Sequence, residues 1–215
     1  MSLIAKEKSE STFTLIPEGT YTAVCNLLVD LGVHYNPAFD NRSERVMIGW
    51  SIPDETYTDK DGNNVPRTLI QEYTNSLSKK SNLRPMLASW RGKDFTPEEL
   101  KGFSLRNVVG APCLLNVIHK QTKSGKTIAT VAGVMRLPRT MIPPKLDSDP
   151  ILFDFDSDPL DQLAMLPEWI ANKVKESETY MDKAAAQIKA EVNGTAPAAL
   201  EEIPDGTGED ELPFD

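Results

Sequence analysis

A two-residue alternation of apolar side chains is the feature that most constrains the fold of this chain. Val46, Ile48, Trp50 and Ile52 occupy every second position of the stretch Arg45–Ile52. This period puts all four side chains on one face of a β-strand, whereas a helix would scatter them around its axis. We therefore predict a strand whose apolar face, Trp50 included, points into a core.

Four further stretches have the composition of strands, because they are rich in β-branched and apolar residues and lie between turn-forming segments. They are Thr20–Leu31, Arg67–Thr74, Cys113–His119 and Thr127–Leu137. We expect the strand at Arg45–Ile52 to end at Pro53 and the polar stretch His34–Ser43 to be the loop before it. The segments 58–64 and 120–126 are predicted turns, the second with Gly125 at its tip.

Helix signals lie between the third and fourth predicted strands. Ser81–Trp90 reads as a short helix with Pro85 in its first turn and Gly92 at its end, and Thr96-Pro-Glu-Glu is typical of a second helix start. Three strands, a helical connection and two strands form the topology of the five-stranded OB barrel. The predicted fold is therefore mainly β, a five-stranded OB barrel with helical additions.

The charge is distributed unevenly along the chain. The net charge is −9, but residues 1–146 carry 19 Lys and Arg against 14 Asp and Glu, whereas residues 147–215 carry 4 against 18. A basic body joined to an acidic extension can bind a polyanion with one part and a different partner with the other. We predict an N-terminal arm at 1–16, an OB domain at 17–146, an acidic linker and helix at 147–191, and a disordered acidic tail at 192–215.

The predicted C-terminal helix covers residues 160–190. Apolar residues recur there at the spacing of one amphipathic face, which predicts a helix that docks on the barrel or on another subunit. The face consists of Leu163, Leu166, Ile170, Val174, Met181, Ala185 and Ile188.

Cys25 and Cys113 are the two cysteines, and each lies in an apolar run. We interpret them as reduced core residues. The first ten residues carry charge where a secretory signal needs an apolar run, and no stretch approaches the ~18 apolar residues of a membrane span. These features predict a cytoplasmic protein.

OB folds hold oligonucleotides on the face of strands 2 and 3 and in the loops joining strands 1–2 and 4–5. Both predicted loops carry suitable residues, since lysines and arginines attract phosphates and exposed aromatic rings stack on bases without reading sequence. Trp50 is a core residue by its spacing, and Tyr73 on strand 3 is expected to extend the stacking surface. The candidate contacts are Tyr35, Phe39, Arg42 and Arg45 in the first loop, Lys120, Lys123 and Lys126 in the second, His34 and His119 at the loop edges, and Lys79, Lys80, Arg84, Arg91 and Lys93 along the backbone track.

Signals for catalysis are weak. Ser124-Gly-Lys-Thr lacks the first glycine of a phosphate-binding loop and precedes a predicted strand, and the aspartates between Asp147 and Asp161 do not meet the EF-hand pattern. We therefore expect no enzyme, cofactor or metal. Two alternatives stay open, an OB-fold adaptor that binds protein through an apolar face, and a metal-dependent nuclease that uses the Asp147–Asp161 cluster.

The chain ends in acidic residues followed by an apolar-Pro-Phe sequence. Such a tether suits a partner that has a basic groove and an apolar pocket. This end resembles the acidic tip of bacterial single-stranded DNA-binding proteins, which implies recruitment of replication or recombination proteins. The residues concerned are Glu209, Asp210, Glu211, Leu212, Pro213 and Phe214.

Two stretches carry a second resemblance. Leu83–Thr96, with its Leu-Arg-Pro-Met-Leu-Ala-Ser-Trp-Arg-Gly sequence, and Phe103–His119 resemble a family of bacteriophage and prophage OB-fold proteins. The resemblance covers roughly residues 17–142. It implies a protein that protects single-stranded DNA during phage replication or recombination. The role of Trp90 stays open between anchoring the helix to the barrel and stacking on a base.

Overall fold

The computed structural model describes residues 14–194, and for residues 191–194 it describes the backbone only. Six strands, three α-helices and three short 3-10 helices follow one another in this part of the chain. The strands are β1 (Gly19–Asn36), β2 (Asn41–Thr58), β3 (Asn64–Thr74), β4 (Pro112–Gln121), β5 (Thr127–Arg136) and β6 (Ile151–Phe153). The α-helices are α1 (Leu83–Arg91), α2 (Glu168–Lys175) and α3 (Glu178–Gly194), and the 3-10 helices span Glu99–Lys101, Leu105–Val108 and Leu160–Met165.

Five strands pair in the order β3-β2-β1-β4-β5, and every pair in this path is antiparallel. Along the chain, three strands, a helical connection that contains α1 and two strands follow one another, as predicted. The prediction of a mainly β fold with helical additions is confirmed. In residues 14–194 no hydrogen-bonded ladder joins β3 to β5, so these two strands are the edges of the sheet.

β1 is the central strand of the sheet. Its first residues, Gly19–Val24, pair with β4, and the stretch from Val24 to Asn36 pairs with β2. Register shifts after Cys25 and after Asp30 interrupt the β1–β2 ladder, and such irregularities bend a strand and increase its twist. The bends allow β1 to take part in both halves of the sheet.

The inward face of the sheet forms the main core. Val46, Ile48, Trp50 and Ile52 are all buried there, as their alternation predicts. Trp90 of α1 packs on Trp50 with ring centroids 5.8 Å apart, and its indole N–H donates to the Pro112 carbonyl at 3.0 Å. Of the two roles left open for Trp90, the structure shows that it anchors α1 to β4.

The signals around α1 are confirmed in detail. Gly92 ends the helix in the left-handed region at φ 71°, where glycine avoids the Cβ clash of other residues. After it, Thr96 and Glu99 exchange hydrogen bonds: Glu99 N–H donates to Thr96 Oγ1 at 3.2 Å, and Thr96 N–H donates to Glu99 Oε2 at 2.9 Å. This reciprocal pattern is a capping box.

The predicted boundary between the first two strands is wrong. The stretch His34–Ser43 is not a loop, because β1 continues to Asn36, β2 begins at Asn41, and the turn is confined to residues 37–40. Polar residues suggest a loop, but cross-strand pairing of Tyr35 with Arg42 holds them extended.

Pro53 does not end β2. The β2–β3 ladder is interrupted between Ile52 and Thr56 and resumes up to Thr58. Pro53 lies within this irregularity, where the ladder needs no N–H from it.

The single amphipathic helix predicted over 160–190 is also wrong. The segment breaks into a 3-10 helix, α2 and α3, with Pro167 and Ser177 at the breaks. Leu163, Leu166, Ile170 and Val174 of the predicted face are buried, whereas Met181, Ala185 and Ile188 on α3 are exposed. The predicted apolar face is therefore buried only as far as the end of α2.

A second core lies on the outer face of β1 and β2. Phe153 and Phe155, which lie in the acidic stretch interpreted as a linker, are buried there against Met47 of β2, together with Ile170 and Val174 of α2. β6 also pairs in parallel with Leu27–Val29 of β1. The acidic segment is therefore packed onto the sheet, and its aromatic residues are what attach it.

Both cysteines are buried and unpaired, as predicted. Burial raises the pKa of the Cys25 thiol to about 12 and also raises that of Cys113.

Candidate nucleic-acid interface

The β4–β5 hairpin carries the three lysines predicted for the second binding loop. Thr122 and Lys126 close the turn, since Thr122 N–H donates to the Lys126 carbonyl at 2.9 Å and Lys126 N–H donates to Thr122 Oγ1 at 3.1 Å. Gly125 completes it at φ 80°. The turn leaves Lys120, Lys123 and Lys126 exposed, and no acidic side chain of residues 14–190 pairs with their ammonium groups.

The hairpin belongs to a longer basic stretch, which extends beyond the predicted site residues. Residues 101–146 contain eight Lys and Arg and no Asp or Glu. Arg136, Arg139 and Lys145 are exposed members of this stretch that were not predicted as site residues. The length of the acid-free run is the sequence signal that identifies them.

The outer face of the hairpin is apolar between its charged ends. Lys120 lies opposite Ile128, Ile118 opposite Thr130 and Leu114 opposite Met135. Ile118, Ile128 and Met135 are 39%, 37% and 40% exposed. This face therefore combines cationic ends with an uncovered apolar strip.

The first predicted group surrounds the β1–β2 turn. Phe39 is 78% exposed on that turn, and Tyr35 lies at the end of β1, where its hydroxyl donates to Asp40 at 2.8 Å. This hydrogen bond raises the pKa of Tyr35. The Phe39 ring is exposed to a base, whereas Arg42 lies over the ring of Tyr35.

Arg42 and Arg45 are paired with acidic side chains. The Arg42 guanidinium lies 5.1 Å from the centre of the Tyr35 ring and binds Glu178 of α3 at 2.8 Å. Arg45 lies 3.6 Å from Glu72, which also contacts Lys173 of α2. Their charge is therefore partly neutralised, which reduces their attraction for a phosphate.

Tyr73 does not extend the stacking surface. Its side chain points into the main core and is 6% exposed, and burial raises its pKa. The two-residue period places it on the inward face with Leu69, so it has no ring surface to offer a base.

The backbone track predicted along α1 is mostly a set of structural ion pairs. Arg84 lies 3.3 Å from Asp94, and Lys93 lies 3.8 Å from Glu99. Arg91 contacts Glu99, and its guanidinium packs against the rings of Phe95 and Phe103. Lys79 and Lys80, in the turn before α1, are exposed.

The two histidines make backbone contacts. His34 Nε2 lies 3.0 Å from the Leu31 carbonyl, and His119 Nε2 lies 2.8 Å from the Ile16 carbonyl.

The face of β2 and β3 on which OB folds hold oligonucleotides is partly covered by the chain itself. Met47 of β2 is fully buried under the second core, and Ile70 of β3 packs against it. Lys173 of α2 reaches Glu72 of β3. Less of this face is open to a ligand than the fold alone predicts.

The two predicted loops lie next to opposite ends of β1. Val117, next to the hairpin, pairs with Gly19 at the start of β1, whereas the β1–β2 turn follows Asn36 at its end. An 18-residue strand spans roughly 55–60 Å when straight, and the bends in β1 shorten this. The lysines and the aromatic pair are therefore separated along β1.

Two of the aspartates considered as a metal cluster pair with a cation. Arg106 lies 3.1 Å from Asp154 and 3.8 Å from Asp158. Within residues 14–194 no group of three or more His, Cys, Asp or Glu side chains is placed to share a metal ion.

Comparison of the chain with protein-family models finds no match, and comparison with curated proteins finds none. In the part of the chain that the structure describes, no helix has the length and apolar character needed to cross a membrane. The tail residues Glu209–Phe214 lie outside the described residues.

Proposed function

We propose that this chain is a cytoplasmic, non-enzymatic protein that binds single-stranded DNA with little sequence preference. The observation that carries the proposal is the β4–β5 hairpin, whose three exposed lysines have no acidic partner among the described residues and belong to the acid-free stretch 101–146. Lysines in this state attract phosphates and release counterions when they bind.

Tyr35 and Phe39 supply the second element of the proposal. Exposed rings stack on bases at about 1–3 kcal/mol each whatever the base, which suits a strand of any sequence. The ring pair and the hairpin lie at opposite ends of β1, so a strand that contacts both runs across the sheet.

The acidic tail completes the proposal. Residues Glu209–Phe214 recruit replication or recombination proteins, as the resemblance to bacterial single-stranded DNA-binding tips implies. The resemblance to phage OB-fold proteins supports protection of unpaired strands as the role.

Substitution of the hairpin lysines tests the site. Changing Lys120, Lys123 and Lys126 together to Ala should weaken binding of fluorescent oligo-dT and reduce the slope of log affinity against log salt by about 2, since each lost phosphate contact contributes about 0.7.

A matched control removes the same charge elsewhere. Lys60, Lys175 and Lys189 are exposed and lie outside the acid-free stretch, and their triple Ala variant should keep most of the affinity and the salt slope. Equal effects in the two triple variants would remove the hairpin from the site.

The uncovered strip of Ile118, Ile128 and Met135 favours a second candidate function, an OB-fold adaptor that binds protein. Changing the three residues to Ser separates the candidates. Retained oligo-dT affinity with loss of a replication partner would favour the adaptor, whereas loss of DNA affinity would favour the DNA site.

A further inference from the structure

A cleft lies between the end of α1, the 3-10 helix Leu105–Val108 and the adjoining ends of β4 and β5. Its volume is about 360 Å³, within the range of about 300–1,000 Å³ that is typical of small-molecule sites. Two arginines and an amide line it together with apolar side chains. The polar residues are Arg91, Arg136 and Asn107, and the apolar ones include Phe103, Val108 and Leu137.

The charge of this cleft distinguishes it from two others in the described residues. A cleft of about 260 Å³ is lined by Arg106 with Asp30, Asp154 and Asp156, and one of about 310 Å³ is lined by Arg45 and Lys173 with Glu72 and Glu176. No acidic residue lines the cleft at Arg136. An anion in this cleft therefore meets only cationic and neutral side chains, whereas carboxylates offset the cations of the other two.

Arg136 is positioned to contact an anion. Its aliphatic stem crosses Gly92 so closely that a Cβ there would lie 2.8 Å from Arg136 Cδ. Its guanidinium has no acidic partner among the described residues. The side chain is thus supported along its length and has unused hydrogen-bond donors.

Arg91 is fixed beneath the cleft. Its guanidinium lies 4.4 Å from the centre of the Phe95 ring and 4.8 Å from that of Phe103. Its Nη2 contacts Glu99, while its Nη1 is buried without a hydrogen-bond partner in the described chain. Glu99 neutralises part of the charge of this guanidinium, but the unsatisfied Nη1–H remains a buried donor in a side chain that lines the cleft.

We propose that this cleft binds one phosphate-bearing nucleotide unit, with the phosphate on Arg136 and the base against the apolar wall formed by Phe103 and Leu137. The indole N–H of Trp90 already donates to Pro112, so Arg136 and Asn107 supply the donors. β5 has ten residues and separates this cleft from the hairpin lysines by about 30 Å. The site is therefore distinct from the hairpin and goes beyond the proposed function.

The nucleotide unit has two sources, a free mononucleotide or one unit of a bound strand. Titration of the full chain with thymidine 5′-monophosphate, thymidine, inorganic phosphate and oligo-dT distinguishes them, with the Trp90 indole N–H resonance as the reporter. The monophosphate should shift this resonance saturably and thymidine should not. A shift with oligo-dT that persists in the hairpin triple Ala variant would assign the site to strands as well.

Two pairs of variants test the residues. Arg136→Gln should weaken binding of the monophosphate at least about tenfold, because it removes a charge-assisted contact to phosphate, whereas Lys60→Gln removes the same charge at a distant turn and should not. Asn107→Glu should weaken binding more than Asn107→Gln, since it places an acid in the cleft.

The outcomes separate this proposal from strand binding. If the wild-type chain binds oligo-dT but the monophosphate does not shift Trp90, the cleft proposal is wrong and the proposed function stands. If the monophosphate binds and oligo-dT does not, the cleft proposal stands and the proposed function is wrong. Equal binding of the monophosphate by the Arg136→Gln and Lys60→Gln variants would also overturn the cleft proposal.

Discussion

Arg91 shows how a charged side chain in a nucleic-acid-binding candidate can serve the fold. Its guanidinium is enclosed by Phe95 and Phe103 and contacts Glu99. The hydrogen bond from Thr96 N–H and the contact with Arg91 lower the pKa of Glu99 below its ordinary value of 4.5. Glu99 therefore joins the capping box to the buried arginine.

This lowered pKa predicts a pH dependence of stability. Because the folded-state pKa of Glu99 lies below the unfolded value, its stabilisation is complete above pH 4.5 and is lost as the pH falls through the folded-state pKa. Glu99→Gln should lower the urea midpoint at neutral pH, and the difference from wild type should shrink as the pH falls below 4.5. Glu98→Gln, at an exposed neighbour, is the control. A difference that does not change with pH would contradict the assignment.

At the scale of elements, the contact between α1 and β5 depends on Gly92. Its φ of 71° costs other residues about 1–2 kcal/mol, and a Cβ would also meet Arg136 at 2.8 Å. Gly110 has a φ of 73° but no atom within 4 Å of its Cβ position. Comparing the same substitution at the two glycines therefore separates the cost of backbone strain from the cost of the contact with Arg136.

We predict that Gly92→Ala destabilises the chain more than Gly110→Ala by about 1 kcal/mol, the low end of the cost of overpacking. Chemical denaturation measures both. In an Arg136→Ala background the excess should vanish, because the contacted side chain is gone. If the additional destabilisation by Gly92→Ala persists in the Arg136→Ala background, the contact with Arg136 is not its cause.

The strands and α1 could be predicted from sequence because their signals are local. The alternation from Val46 to Ile52 and the glycine at position 92 act within a few residues. The β1–β2 turn could not be predicted in the same way, because cross-strand pairing holds a polar stretch extended. The break before α2 does have a local signal that the single-helix prediction overlooked, since Pro167 has no N–H for a helix interior and is tolerated at a helix start.

The candidate site was predictable to the same extent. Exposed lysines on a glycine turn follow from local sequence, and all three are where they were expected. The pairing of Arg42 with Glu178 joins residues 136 positions apart, and the burial of Tyr73 depends on strand parity. Neither is visible in a motif.

At the scale of the whole molecule, the uneven charge distribution gives two segments of opposite sign. The stretch 101–146 is basic throughout, and residues 201–215 contain seven acids and no base. Deleting residues 201–215 should leave the affinity for oligo-dT equal or higher, because an acidic segment competes with phosphates for the same cations. Equilibrium titration of the two chains measures this, and a loss of affinity after deletion would contradict it.

The central claim is that an exposed basic surface of this β-rich fold binds unpaired strands. Fluorescence titration with oligo-dT and with a duplex of the same length, repeated across a salt series, tests it most directly. We predict tighter binding of oligo-dT than of duplex, with an affinity that falls steadily as salt rises. Equal or tighter binding of duplex, or no binding of oligo-dT at low salt, would contradict the claim.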